Sequence, residues 1–342
     1  MLASPPMPAP AFTLIVPGLL WPRPALDDTV RGLRLPGLER LLRLGMATRA
    51  TLDESDWWRD RFALPAPLPA AALRLLDLGG EPGDLEWACL DPIHLAFGQQ
   101  DATLADPATL ALDATADAAL FAAIAPLFAG LGTLHATAPG CWHIAPRVAL
   151  PPLADMLHGG LSGRHLLPPG DAGKRWRQAL NEAQMQLHTL PLNQARETAG
   201  MAPINSLALW GGGRLPARAA SNFGGLLADD AVLRGLGRLA GCATAPLGDG
   251  FDAEAISGRT VVARVGTLSS ATLQHDALRW REALQALEAR WIAPALAATD
   301  RGELGAFALI GCGDGTALTL RYAGRDRLRF WRRPAPLTEL YP

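Results

Sequence analysis

Apolar positions change period several times along the chain, and each change predicts an element. Phe12 to Val16 is an unbroken apolar run ended by Pro17-Gly18, the pattern of a parallel strand buried on both faces. In PGLERLLRLGMATRA, Leu38, Leu41, Leu42 and Leu44 form a helical stripe, and Gly45 suits the C-cap. DESDWWRDRFAL reads as a surface helix that buries Trp57 or Trp58. Residues 63–84 read as a proline-punctuated helix followed by the turn GGEPGD. Then come a strand and turn over Leu85 to Leu95, with His94 as a core histidine, and a short strand over Thr109 to Leu112. An alanine-rich helix over Ala116 to Leu131 and a strand over Cys141 to Ala145 complete this part.

The densest polar chemistry runs from Asn181 to Pro216, NEAQMQLHTLPLNQARETAGMAPINSLALWGGGRLP. Asp171 is a good N-cap for a helix that Pro191 stops, and Asn181, Gln184 and His188 share one face of it. Asn193 and Arg196 fall in the turn that follows, Ile204 to Trp210 reads as a buried strand, and Gly211, Gly212 and Gly213 as a loop after it. A glycine loop at the carboxyl end of a strand is where open α/β sheets place ligands. Further on are an amphipathic helix over Asp229 to Leu239 carrying Arg234 and Arg238, and a strand over Thr260 to Val265. One helix over Asp276 to Ala298 spans about 30 Å if Pro294 only bends it. A strand over Phe307 to Gly311 precedes a hairpin of ALTLRY and RLRFWRR.

This order predicts an α/β fold, a mostly parallel sheet with helices on both faces and an inserted small α+β module. The expected division is a disordered proline-rich segment 1–11, an α/β core of 12–84 and 171–342, and a module with its linker over 85–170. The linker's His158 and His165 lie seven apart and imply no metal spacing.

The net charge of -2, with 19% charged residues, argues against a general nucleic-acid binder. No apolar run is long enough for a membrane helix, and MLASPPMPAPAF has no signal-peptide pattern. Cys89, Cys141, Cys242 and Cys312 are widely spaced, which fits a reduced cytoplasm and no disulfide or zinc framework. No cofactor motif stands out, and the oligomeric state is left open.

The candidate ligand-binding residues are His188, Asn193, Arg196, Asn205, Trp210 and Gly211 to Gly213. Three glycines can turn backbone N–H groups toward an anion, or simply make a tight turn. Arg196 can grip a phosphate or pair with a neighbouring carboxylate. Asn205 is unusual in a strand, and its amide needs partners if buried. His188 is an acid–base candidate, although a helix C-terminal histidine facing the dipole is the commoner reading. At the end of the chain Arg321, Arg325, Arg327, Arg329, Arg332 and Arg333 interleave with Phe330 and Trp331. Such a hairpin can dock on RNA or an acidic partner, or present one solvated arginine face.

The central motif, with DPIHL, CWHI, LPPGDAGKRW and ALEARWIAPAL, resembles the RpfE-type bacterial regulatory-protein family over most of the chain. More distantly, PLNQARETAGMAPINSLALWGGG, FTLIVPGLLWPRP and RWREALQALEARWIAPAL resemble the archaeal-type cofactor-independent phosphoglycerate mutases of the alkaline-phosphatase-like superfamily. That resemblance implies the superfamily's fold and a two-metal site held by Asp and His beside a Ser or Thr nucleophile. The chain departs from it where it matters. Pro17 stands where the first strand's Asp ligand is expected, and Ile310 to Gly313 where a late Asp-His pair is expected. Pro69, Ala70 and Ala71, or Ser55-Asp56, fall in the nucleophile region, and only His275, Asp276 and Asp314 remain as ligand candidates. The resemblance thus implies a degenerate phosphomutase-like protein that binds a phosphorylated metabolite or a protein partner. An active phosphomutase or phosphatase with relocated ligands, and an interaction module built on the arginine hairpin, are the alternatives.

Overall fold

The computed structural model describes residues 10–97, 102–105, 107–155, 166–256, 258–313 and 315–340. In chain order its elements begin with β1 (Ala11–Pro17), α1 (Arg23–Val30), α2 (Pro36–Leu44), β2 (Met46–Thr51), α3 (Glu54–Arg61) and α4 (Ala70–Asp77). Next come β3 (Glu86–Ile93), β4 (Leu95–Phe97), β5 (Ala102–Leu104), α5 (Ala114–Phe128), β6 (Gly132–Ala138) and β7 (Cys141–Pro146). Then follow α6 (Lys174–Thr189), α7 (Pro191–Thr198), β8 (Ser206–Arg214), β9 (Gly225–Leu227), α8 (Ala231–Leu239) and β10 (Ala243–Ala245). The chain closes with α9 (Ala253–Ile256), β11 (Val261–Arg264), α10 (Ser269–Leu273), α11 (Ala277–Leu287), α12 (Ala293–Arg301), β12 (Ala306–Gly313) and β13 (Thr316–Tyr322).

Two compact units divide the chain. The first holds residues 1–62, 220–230 and 240–342, the second 63–219 and 231–239. The first unit is the expected mostly parallel α/β sheet, in the order β10-β9-β11-β1-β12-β13-β2. Its five strands from β10 to β12 run parallel, while β13 runs antiparallel between β12 and β2. Phe12, Leu14, Ile15 and Val16 of β1 are fully buried, as a strand flanked by parallel neighbours and covered on its faces requires. Helices flank this sheet, and Leu38, Leu41, Trp280, Leu284, Trp291 and Leu296 pack in the same core as Phe12 and Phe307.

The second unit is larger than the expected module 85–170. Strand β8 pairs with β3 from Glu86 opposite Arg214 to Ile93 opposite Ser206, so the central stretch is tied to this unit. The four-stranded sheet β6-β7-β3-β8 is antiparallel throughout. α8 joins the same unit because Gly235 lets it close on α4, where a Cβ would overlap the Leu73 carbonyl. Arg234 and Arg238 of α8 then both bind Asp77 of α4.

Several local expectations change. α6 opens at Lys174 with no side-chain cap, and Asp171 contributes only its carbonyl to that end. Pro191 stops α6 as expected, but it also opens α7, since proline at N1 costs no hydrogen bond. Asn193 and Arg196 therefore stand on a helix, not in a turn. Thr109 to Leu112 makes no strand: Pro107–Leu110 is a 3-10 turn, and Asp113 then caps α5 through the Ala116 N–H. Trp57 and Trp58 are both buried. The late helix runs from α11 to α12 through a π turn at Glu288–Ile292, just ahead of Pro294, whose ring nitrogen has no N–H to donate. The expected arginine hairpin is absent. Residues 324–328 form a 3-10 turn, and β13 pairs with β2 instead, from Thr316 opposite Thr51 to Arg321 opposite Met46. The expected disorder of 1–11 concerns mainly residues outside the described ones, as do His158, His165 and Asp314; Ala11 already belongs to β1.

Candidate functional site

The central stretch separates into a cavity wall and a packed interior. Gly211 to Gly213 lie within β8, not in a loop after it. Gly211 has φ +66° and Gly213 φ +152°, opposite a bulge between Trp87 and Cys89. A Cβ on Gly211 would stand 2.8 Å from the Ala70 Cβ, and one on Gly213 3.1 Å from Pro69. The glycines clear room for the start of α4. Their strand is also antiparallel, so the rule that placed a ligand at the carboxyl edge of a parallel sheet does not reach it.

Beneath Trp210 lies a closed polar network. The Arg74 guanidinium donates to both Asp91 oxygens, at 2.6 and 2.8 Å, and to the Trp142 carbonyl. Asp91 also accepts from the Trp142 N–H and from Trp210 Nε1. Arg74 Nε donates to His143 Nε2 at 3.0 Å, so the imidazole proton sits on Nδ1 and points to Thr137 Oγ1. Burial, with Arg74 and His135 close by, pushes His143 down to about 2. The ring is a fixed neutral acceptor with no proton to trade at neutral pH. Asp91 belongs to DPIHL and His143 to CWHI, two motifs visible in the sequence. Their shared partner, Arg74, was the missing link.

His188, Asn193 and Asn205 do come together, on the wall of an open cavity of about 470 Å³ shared with Gln184, Gln194 and Glu197. Asn193 is fully employed: its amide donates to the Leu187 and Ile204 carbonyls and accepts the Ile204 N–H. Asn205 brackets Leu95, accepting its N–H and donating to its carbonyl. This answers the puzzle of an asparagine beside a strand, since it extends the ladder through its side chain. Arg196 is turned inward, to the carbonyls of Ala202 at 2.9 Å and Leu110 at 2.6 Å. Arg196, Trp210 and the glycines do not line the cavity, whose charged wall residue is the carboxylate Glu197.

The other candidate place is the carboxyl edge of the parallel sheet in the first unit. Pro17 of β1 lies in register with Cys312 of β12, and Ile15 with Arg264 of β11. The Arg264 guanidinium turns to Glu54, with Nε 2.5 Å from Oε1 and Nη2 3.1 Å from Oε2. Burial pulls the Arg264 pKa down, but the charge and hydrogen bonds of Glu54 more than offset it, and the guanidinium stays ionised. Burial and the nearby Glu54 push the Cys312 thiol up to about 12, with Arg264 opposing. At neutral pH that sulfur is protonated as long as no metal ion binds it. Gly18 turns at φ +77°, and its carbonyl accepts Thr272 Oγ1 and Trp280 Nε1.

Among its described residues this edge does not fit a metal pair. It presents a proline, a thiol and the Arg264–Glu54 ion pair, with Asp53 and Asp230 close enough to act electrostatically on Cys312 and Arg264. Asp276 caps α11 through the Arg279 N–H, and His275 sets its ring edge against Trp21. Among the described residues no three His, Cys, Asp or Glu side chains form a group that could hold a metal ion.

No family model matches the chain, and no curated protein matches it. Among solved structures it is similar to the cofactor-independent phosphoglycerate mutase from Thermoplasma acidophilum DSM 1728, at 16% identity over 92% of this chain and 90% of that one, with a TM-score of 0.47. It is also similar to the PH0037 protein from Pyrococcus horikoshii, at 14% identity over 94% of this chain and 93% of that one, with a TM-score of 0.49. Likeness at this level assigns no chemistry.

Proposed function

We propose that the chain is a degenerate phosphoglycerate-mutase-like protein of RpfE type, which acts by binding and not by metal-dependent turnover. One observation carries this reading: the Arg264–Glu54 ion pair at the carboxyl edge of the sheet. The sequence resemblance implies cations there, and this chain supplies its own. A fixed guanidinium repels a divalent ion and occupies the carboxylate that would hold one. The neighbouring Pro17 has no side-chain atom to offer a metal ion.

Of the two kinds of ligand the resemblance leaves open, a protein partner is favoured over a phosphorylated metabolite. Arg196, the guanidinium of the central motif, spends its donors on two carbonyls. The adjoining cavity shows amides, an imidazole and Glu197, a poor match for a phosphate.

The test is metal analysis of the purified chain together with mutase and phosphatase assays in added manganese. The expected result is substoichiometric metal and no turnover above the assay blank. Stoichiometric metal accompanied by turnover overturns the proposal.

A further inference from the structure

The chain has ten tryptophans. Nine of them are 5% exposed or less, whereas Trp331 is 69% exposed and its neighbour Phe330 75%. Leu328, at 62%, lies three residues before Trp331. A fold that buries every other indole leaves this one in water beside an exposed phenyl ring, with an exposed leucine three residues away in sequence. Such clusters mark surfaces that another molecule covers.

The segment is not a loose end. Arg43 of α2 donates through Nε to the Arg332 carbonyl and through Nη2 to the Phe330 carbonyl, each at 2.7 Å. In return Arg329 donates to the Leu44 carbonyl at 3.1 Å and Arg332 to the Gly45 carbonyl at 2.8 Å. These last bonds cap the carbonyls that α2 leaves unpaired at its carboxyl end. The backbone on both sides of Trp331 is thereby pinned, and Phe330 and Trp331 stand edge to face with ring centroids 5.4 Å apart. Little ordering entropy is left to lose when something binds these rings.

Charge selects the occupant. Residues 321–333 carry six arginines and one aspartate in a chain of net charge -2. The aspartate, Asp326, is buried and bound to the Ala323 N–H and to Arg329. Arg325, Arg327 and Arg333 remain exposed in the same segment, Arg327 reaching the Asp300 carbonyl at 3.5 Å. Tryptophan and arginine at the centre, on a rigid backbone, are the composition of protein-interface hot spots. Stacked bases fit less well, because rings at 78° to each other offer no pair of parallel faces, and two arginines face carbonyls instead of solvent.

We propose that Leu328, Phe330 and Trp331, with the exposed Arg325, Arg327 and Arg333 of the same segment, form a docking surface for an acidic protein segment in which carboxylates alternate with apolar side chains. The surface needs nothing from the carboxyl edge of the sheet, so it stands whether or not the chain turns over a substrate.

The probe is a fluorescein-labelled peptide alternating glutamate and leucine, followed by anisotropy with the full chain. A lysine–leucine peptide, an oligouridylate and phosphatidylserine-containing vesicles are the comparators. Two double variants are used, Phe330→Ser with Trp331→Ser and Arg327→Glu with Arg333→Glu, all at exposed positions and checked for folding by circular dichroism. The glutamate–leucine peptide should bind, weaken with salt, and lose about tenfold or more in affinity in each double variant. Binding should also shield Trp331 from acrylamide quenching. Failure of the peptide to bind, binding unchanged in both variants, or binding of RNA or vesicles in its place overturns the proposal.

Discussion

Two buried arginine–carboxylate pairs do opposite things in this chain. Arg74–Asp91 sits inside an antiparallel sheet, with Trp142, Trp210 and His143 meeting its remaining hydrogen-bonding needs. Arg264–Glu54 sits at the carboxyl edge of a parallel sheet, the position such sheets reserve for ligands. Both pairs hold the arginine ionised against burial. What differs is the surrounding architecture. The first pair ties β3, β7 and β8 to α4. The second puts a fixed cation at the edge where parallel sheets place ligands. A buried ion pair is thus read from its place in the topology, not from its own geometry.

The comparison breaks most visibly at Asp91. Asp91→Ala leaves the Arg74 charge, the Trp210 indole N–H and the Trp142 backbone N–H without their acceptor. The expected loss is about 3–5 kcal/mol, as for other buried pairs cut on one side. Urea unfolding followed by hydrogen exchange should place the loss in residues 63–219, and a loss below 1 kcal/mol would mean that the network is not holding the sheet. Glu54→Ala is the matching cut in the first unit. Its side chain keeps 16% exposure and that of Arg264 15%, against 8% and 7% for Asp91 and Arg74, so water screens more of the damage. A smaller loss of about 2–3 kcal/mol is expected, with exchange rising in β1, β11 and β12. A loss as large as that of Asp91→Ala would erase the contrast.

Acid sharpens the contrast further. The folded His143 has its pKa at about 2, against 6.5 for the free side chain. Between those values the unfolded chain binds a proton that the folded chain does not, so stability rises with pH across the window. The contribution is complete above the free value and is lost as the pH falls. It amounts to about 2 kcal/mol between neutrality and pH 5. His143→Gln should be less stable at pH 7 yet flatter toward acid. A parallel pH profile for the two proteins would show that the neutral ring is not what acid attacks.

How far this was legible in the sequence follows from how local each signal is. The apolar run of β1 and the leucine stripe of α2 need no partner to be recognised, and both stand where expected. The glycine run was visible but misplaced. Three glycines look alike in a loop and in a strand, and what decides is the approach of Pro69 and Ala70, which no local pattern records. Glu54 lies 210 residues from Arg264, so neither announces the other. Asp91 and His143 stood in noticed motifs, but their role depends on Arg74, an arginine in a helix of alanine and leucine. The terminal arginines suggested a hairpin because alternation with aromatics mimics a strand; in the fold two of them, Arg329 and Arg332, serve as caps for α2.

The smallest effect belongs to the cavity wall, where two neighbours with similar claims should separate. Asn193 supplies three hydrogen bonds to buried backbone, and Asn193→Ala strands the Ile204 N–H and two carbonyls. A loss of about 1–3 kcal/mol is expected from those unsatisfied groups. His188 faces the same cavity from the exposed side of α6. His188→Ala should change stability by less than about 0.5 kcal/mol, since nothing buried depends on its ring. Urea midpoints for the two variants measure the difference directly. If His188→Ala cost as much as Asn193→Ala, the imidazole would be part of the scaffold, and the cavity would lose the one titratable ring it can offer a ligand. If the two separate as expected, Asn193 builds the wall and His188 is free to meet whatever enters.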